Sequence, residues 1–134
     1  MSITDLSFFN LASDRLSWLS ARQKVTAENI ANANTPDYRA KDVSSFAEML
    51  QGNRTGNVRL ATTDPRHITG SGGPVNANVR EGTDRASVIR TIDGNGVDLE
   101  DQAIRAAEIA DQHRLATELY RKGFEMLSMS VRKR

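Results

Sequence analysis

The 134 residues contain no cysteine, three prolines and few aromatic side chains, and lysine plus arginine outnumber aspartate plus glutamate only 18 to 17. Without cysteine there is no disulfide framework, no thiolate zinc site and no cysteine nucleophile. Balanced charge leaves no whole-molecule field to recruit nucleic acid or an anionic membrane, so neither is expected as a partner. No apolar run approaches the ~20 residues that a membrane span needs, so no membrane insertion is expected. The start, Met1-Ser2-Ile3-Thr4-Asp5-Leu6, lacks the basic and apolar regions of a secretory signal. The expectation is a cytosolic chain, or one exported without a cleaved signal.

Catalytic groups are equally sparse. The two histidines, His67 and His113, stand in different segments, with no second ligand or nucleophile at a recognised spacing. His67 reads as a turn residue beside solvent and His113 as a stripe residue at a helix contact. Asp93-Gly94-Asn95-Gly96-Val97-Asp98 superficially resembles a calcium loop, but Val97, Asp98 and Ile104 occupy positions that the loop needs for ligands, glycine and the closing glutamate. A tight turn leading into a helix cap fits it better. Gly70-Ser71-Gly72-Gly73-Pro74 lacks the lysine and hydroxyl of a phosphate loop. The basic tail Arg132-Lys133-Arg134 suits a helix C-terminus. The reading is therefore of no catalytic residue, no metal and no cofactor.

What is present is helical periodicity at both ends. From about Asp5 to Asn34 there is no glycine or proline, and Phe9, Ala12, Leu16, Leu19, Ile30 and Ala33 recur on one stripe. Leu11, Trp18 and Val25 run along a neighbouring face, so the apolar surface is wider than a two-stranded seam needs. Pro36 disfavours helix at Thr35, and the asparagines before it suit a turn. Ser44 or Ser45 is a candidate cap for one or two turns through Phe46, Met49 and Leu50.

Between Gln51 and Gly96 lie eight of the nine glycines, and the expected structure is loops with β-prone pieces at Val58-Arg59-Leu60 and Val88-Ile89-Arg90-Thr91-Ile92. Asp98 is the expected N-cap of a second long helix from Leu99 to about Val131. On it Leu99, Ala106, His113, Tyr120 and Leu127 form one seven-spaced track, and Ala103, Ala110, Thr117, Phe124 and Val131 an adjacent one. Ile109 and Ala116 widen the stripe. Gly123 inside that helix suggests a close approach by a neighbour. The two helices, roughly 43 and 50 Å long, match well enough to lie side by side.

The predicted fold is mainly α, with residues 1–34 and 98–134 forming the helical ends and 35–97 a loop-rich insertion. Two helices cover each other along one stripe only, which leaves apolar surface for partners. Candidate contact residues are Phe9, Leu11, Leu16, Trp18, Leu19, Val25, Ile30, Ile109, Ala116, Tyr120, Phe124 and Leu127. A soluble adaptor binding one partner through these stripes is the alternative reading.

Residues 27–42, Ala-Glu-Asn-Ile-Ala-Asn-Ala-Asn-Thr-Pro-Asp-Tyr-Arg-Ala-Lys-Asp, resemble the signature of the flagellar rod and hook family. Its motif positions here are Asn29, Asn32, Asn34, Thr35, Pro36 and Tyr38, and residues 93–100 are similar to the family's segment before its terminal helix. The resemblance implies a structural subunit of the proximal rod whose end helices pack as a coiled coil and polymerise into a tube. It implies export by the flagellar type III apparatus and a place in the basal body across the periplasmic space. The implied partners are copies of the chain, other rod proteins of the FlgC, FlgF and FlgG types, the FliE rod-junction protein and the export gate.

Overall fold

The computed structural model describes residues 7–54, 79–84 and 90–132. In chain order they form helix α1 (Ser7–Ala31), strand β1 (Lys41–Val43), helix α2 (Phe46–Arg54), strand β2 (Glu81–Thr83) and helix α3 (Leu99–Arg132). The fold is mainly helical, as expected, with α1 and α3 packed together. At 1.5 Å per residue they are about 37 and 51 Å long.

The two helices run antiparallel. Phe9 stacks edge-on against Tyr120 with ring centroids 5.1 Å apart, Arg15 Nη2 donates to Gln112 Oε1 at 2.9 Å, and Asn29 Nδ2 donates to Gln102 Oε1 at 2.9 Å. As the number rises along α1 it falls along α3. The α3 seam is Gln102, Ile109, Ala116 and Gly123, with Tyr120 and Leu127 beside it, all buried or half-buried. The other seven-spaced track lies differently from its expected place: Ala103, Ala110, Thr117, Phe124 and Val131 are all exposed, and so is His113. A helix turns about 100° per residue, so the broad apolar stripe cannot all face one partner, and the contact centres on Ile109.

Gly123 answers to a close approach. A Cβ there would stand 2.7 Å from Phe8 Cε1, so the missing side chain is what lets the Phe8 ring lie against α3.

The apolar core is Trp18, Leu19, Met49 and Ile109, with Val43, Phe46, Leu50, Val79 and Ala116 packed around it. It joins both long helices to α2. The Trp18 indole N–H donates to Ser44 O at 2.8 Å, which satisfies its one polar group inside that core. The Arg15 guanidinium lies 4.6 Å from the Trp18 ring and 4.9 Å from that of Phe46. Desolvation there, and then the nearby Arg22, lower the Arg15 pKa from its ordinary value.

Local capping accounts for the helix starts. Ser45 caps α2 through Oγ, which accepts from the Glu48 N–H at 3.3 Å, while Glu48 Oε2 accepts from the Ser45 N–H at 3.1 Å. This reciprocal pair is a capping box. Asp98 caps α3, its Oδ1 accepting from Glu100 N at 3.0 Å. Asp101, in the place where a capping box holds Glu or Gln, instead pairs with Arg105 one turn on, at 2.8 Å.

The strands depart from expectation. β1 pairs antiparallel with β2, Lys41 opposite Thr83 and Val43 opposite Glu81. Val58–Leu60 lies outside the described residues. Of Val88–Ile92, the described part forms no strand: Thr91 and Ile92 enter a turn, with Ile92 fully exposed. β-branched side chains favour a strand only where a pairing edge is open. One edge of β1 is taken by β2, and the other by the Asn29 side chain, which binds both the N–H and the C=O of Lys41.

Ion pairs tie the sheet to the helices. Both Asp42 oxygens accept from Arg22, at 3.1 and 3.0 Å, and Oδ2 also accepts from Arg105 at 3.2 Å. Arg105 further pairs with Asp84 at 2.7 Å and Asp101 at 2.8 Å. Partial burial pulls the Arg105 pKa down, but Asp84, Asp101 and Asp42 together raise it above its ordinary value. One guanidinium thus links α3 to β1 and to the residue after β2. Arg105→Gln should lower stability by about 2–3 kcal/mol, since it removes the cation that pairs with Asp42, Asp84 and Asp101 at a partly buried position. Arg114→Gln, at an exposed pair 3.8 Å apart, should change it by less than about 0.5 kcal/mol. Urea midpoints of the two variants check the ranking.

Candidate functional site at the junction of the long helices

The end of α1 and the start of α3 meet in a junction made of side-chain amides. α1 stops at Ala31 rather than at the expected Asn34. The Asn32 N–H reaches Glu28 O at 3.1 Å and the Thr35 N–H reaches Asn32 O at 3.0 Å, which closes the helix into a turn. Asn32 Nδ2 donates back to Glu28 O at 2.8 Å and its Oδ1 accepts from Thr35 Oγ1 at 3.2 Å. Pro36 then prevents further helix, and Asp37 takes a left-handed φ of 57°, a region that aspartate tolerates better than most residues.

A second turn closes on the first. Gly94 N–H donates to Thr91 O at 2.9 Å, and Gly94 has φ 79°. That positive φ favours glycine, and a Cβ at Gly94 would also collide with Asp37 Oδ1. Asp93 is exposed; the hydrogen bond from the Thr91 hydroxyl is the main cause that lowers its pKa from the ordinary carboxylate value. Two backbone bonds clasp the turns together: Asp37 N–H to Asp93 O at 3.1 Å and Gly96 N–H to Tyr38 O at 2.9 Å.

Asn95 sits inside the clasp, 1% exposed. Its Nδ2 donates to Asn32 O at 2.9 Å and Thr35 O at 2.6 Å, and its Oδ1 accepts from the Val97 N–H at 2.8 Å. The side chain thereby gives a further donor to two turn carbonyls that already accept from the Thr35 and Tyr38 N–H groups, and it pairs the Val97 N–H.

Asn29, also 1% exposed, does the matching work one turn earlier. Its Nδ2 donates to Lys41 O at 2.7 Å and to Gln102 Oε1 at 2.9 Å. Its Oδ1 accepts from the Lys41 N–H at 2.9 Å and from the Tyr38 hydroxyl at 3.3 Å. Both donors and both acceptor positions of the amide are used.

The expected motif residues therefore divide. Asn29, Asn32, Thr35 and Tyr38 all bond within the junction, whereas Asn34 and Pro36 are exposed. Asn95, Gln102, Arg105 and Asp42 were missed as site residues. The available signal was a polar Gln102 seven residues before Ile109 on the seam. The twelve candidate contact residues divide too. Phe9, Trp18, Leu19, Val25 and Ile109 are buried within the chain itself; Leu16, Ala116, Tyr120 and Leu127 are half-buried; Leu11, Ile30 and Phe124 stay exposed. His67 and Gly70–Pro74 lie outside the described residues.

The buried amides of the junction are spent on joining the chain to itself. Together with a helical pair whose flanks remain apolar, this defines a helical structural protein. Comparison with known sequences gives the family. Residues 9–39, which hold all but the first two residues of α1 and the first turn, match the family described as flagella basal body rod protein. The chain is 36% identical over 132 residues to the flagellar basal body rod protein FlgB of Agrobacterium fabrum, covering 98% of each chain. It is 34% identical over 100 residues to that of Proteus mirabilis, 69% of each, and 33% over 103 residues to that of Salmonella typhimurium, 71% of each. The chain belongs to the FlgB family of flagellar basal body rod proteins, structural subunits of the flagellum.

Asn29→Ala and Asn95→Ala should each cost about 2–4 kcal/mol, because the first removes four hydrogen bonds of a buried amide and the second three. Asn34→Ala should fall within about 0.5 kcal/mol of the parent. Thermal or urea unfolding of the three variants checks this, and an Asn34→Ala loss as large as the others would contradict the division.

Proposed function

We propose that the chain is a subunit of the proximal rod, polymerising through its long helices so that the assembled tube transmits torque and encloses the export channel. The observation that carries this is the apolar surface left on α3. Leu115, Leu119 and Met126 are 58%, 50% and 62% exposed, as are Phe124 and Val131 at 52% and 71%. At about 100° per residue the first three lie on one side of the seam and the last two on the other. A helix with apolar flanks on both sides of its own seam has room for more than one neighbour.

Leu11 and Ile30 on α1, 47% and 41% exposed, add further uncovered apolar side chains. Covering the free half of one such side chain contributes about 1 kcal/mol, so a stable contact needs several at once. Head-to-tail contacts that do not close produce a filament. In this reading residues 1–34 and 98–134 form the polymerising core, with coiled-coil packing between them, and residues 35–97 are a loop-rich insertion.

The partners are further copies, rod proteins of the FlgC, FlgF and FlgG types, the FliE junction protein and the export gate. The subunit reaches the periplasmic space by flagellar export without a cleaved signal. Among the described residues no helix is long and apolar enough to cross a membrane.

The test separates assembly from folding. Leu119→Asp and Phe124→Asp should leave the urea midpoint of the isolated chain nearly unchanged, within about 0.5 kcal/mol. In cells at equal protein level they should reduce completed basal bodies and swimming severely, because assembly would bury an unpaired carboxylate. Normal swimming in both variants would overturn the helix-mediated polymer.

A further inference from the structure

The second turn of the junction holds the only Asn-Gly pair in the sequence, Asn95-Gly96. Asn-Gly is chemically vulnerable. With no side chain on the following residue, the backbone nitrogen has an open path to the asparagine carbonyl carbon. We propose that Asn95 is a guarded deamidation site: the closed clasp protects it, an opened chain converts it irreversibly, and the product cannot close the clasp again.

The reaction needs only water. The Gly96 nitrogen gives up its proton and bonds to Asn95 Cγ. The Cγ–Nδ2 bond breaks, and Nδ2 leaves with that proton as ammonia. Water then adds across one carbon–nitrogen bond of the cyclic imide, which opens to an aspartyl or an isoaspartyl linkage. No electron transfer is involved.

In the folded chain each reacting group is held. The Gly96 N–H donates to Tyr38 O at 2.9 Å. The departing nitrogen, Nδ2, donates to Asn32 O at 2.9 Å and Thr35 O at 2.6 Å, and Oδ1 is fixed by the Val97 N–H at 2.8 Å. The Asn95 carbonyl in turn accepts from the Thr91 N–H at 2.9 Å. With Asn95 1% exposed, water is excluded as well. Rotating the amide toward the Gly96 nitrogen would break these bonds together, so reaction requires local opening.

The product is the wrong shape and charge for the same place. A carboxylate is acceptor-only, so the two carbonyls that Nδ2 served would face negative oxygen instead of donors. The isoaspartyl form also adds a methylene to the main chain just before Gly96, which displaces the N–H that binds Tyr38 O. Deamidation would thus act as a one-way lock against rejoining the end of α1 to the start of α3.

The full-length chain is incubated at mildly alkaline pH, folded and in urea, with digestion and mass spectrometry of the fragment containing position 95. In urea Asn95 should convert faster than any other asparagine, and folding should slow it by at least about tenfold. Gly96→Ala should slow conversion in urea by a similar factor, independently of the fold. Equal rates folded and unfolded, or a different asparagine reacting first in urea, would overturn the proposal. For the lock, hydrogen exchange is compared in Asn95→Asp: lost protection at Gly96 and Val97, or a chain that fails to fold, supports it. Parental protection at both amides would overturn it.

Discussion

Two buried carboxamides hold this molecule in its shape. Asn29 and Asn95 reach the backbone where the regular ladders stop: the turn after α1, the edge of β1 away from β2 and the turn before α3. A buried backbone group without a partner is costly, and here the partners come from side chains. Each amide bonds to groups far apart in the chain, so neither contact forms unless the whole junction is in register. The hydrogen bond from Asn29 to Gln102 places the first turn of α3 beside the last turns of α1. From there the antiparallel seam follows to Phe8 and Gly123.

The junction matters because the apolar core is small. Trp18, Leu19, Met49 and Ile109 are its buried members, and they cluster where α2 lies against the helical pair. Farther along, α1 and α3 meet through single contacts such as Phe9 with Tyr120. Ion pairs centred on Arg105 and Asp42 supplement the core on the sheet side. The result is a chain well tied at the helix junction, with apolar flanks along the rest of α3. That asymmetry suits a subunit of a family that builds the flagellar rod: a defined corner can aim the helices, and uncovered flanks leave surface for neighbours.

Much of the architecture was legible in the sequence. The start of α3 at Leu99, its Asp98 cap and its extent follow from helical periodicity and capping chemistry, both of which act within a few residues. A cap at Ser44 or Ser45, which the fold places at Ser45, and the Gly94 turn are local in the same sense. The resemblance of residues 27–42 to the flagellar rod family rested on a contiguous motif, and the family comparisons agree with it.

Sequence alone thus determined the two long helices, the start and cap of α3 and the family, because caps, turns and periodicity depend on neighbours in the chain. Only the tertiary structure decided which side of α3 is the seam. Its apolar stripe is too wide to choose a face, and the choice came from Gln102, Ile109 and Gly123 meeting Asn29, Leu19 and Phe8. Likewise, β1 pairs with Glu81–Thr83, three exposed residues of which only Thr83 favours strands, rather than with a longer β-branched segment. Strand pairing and buried amides depend on which distant groups arrive with matching donors and acceptors, and that is a property of the folded chain.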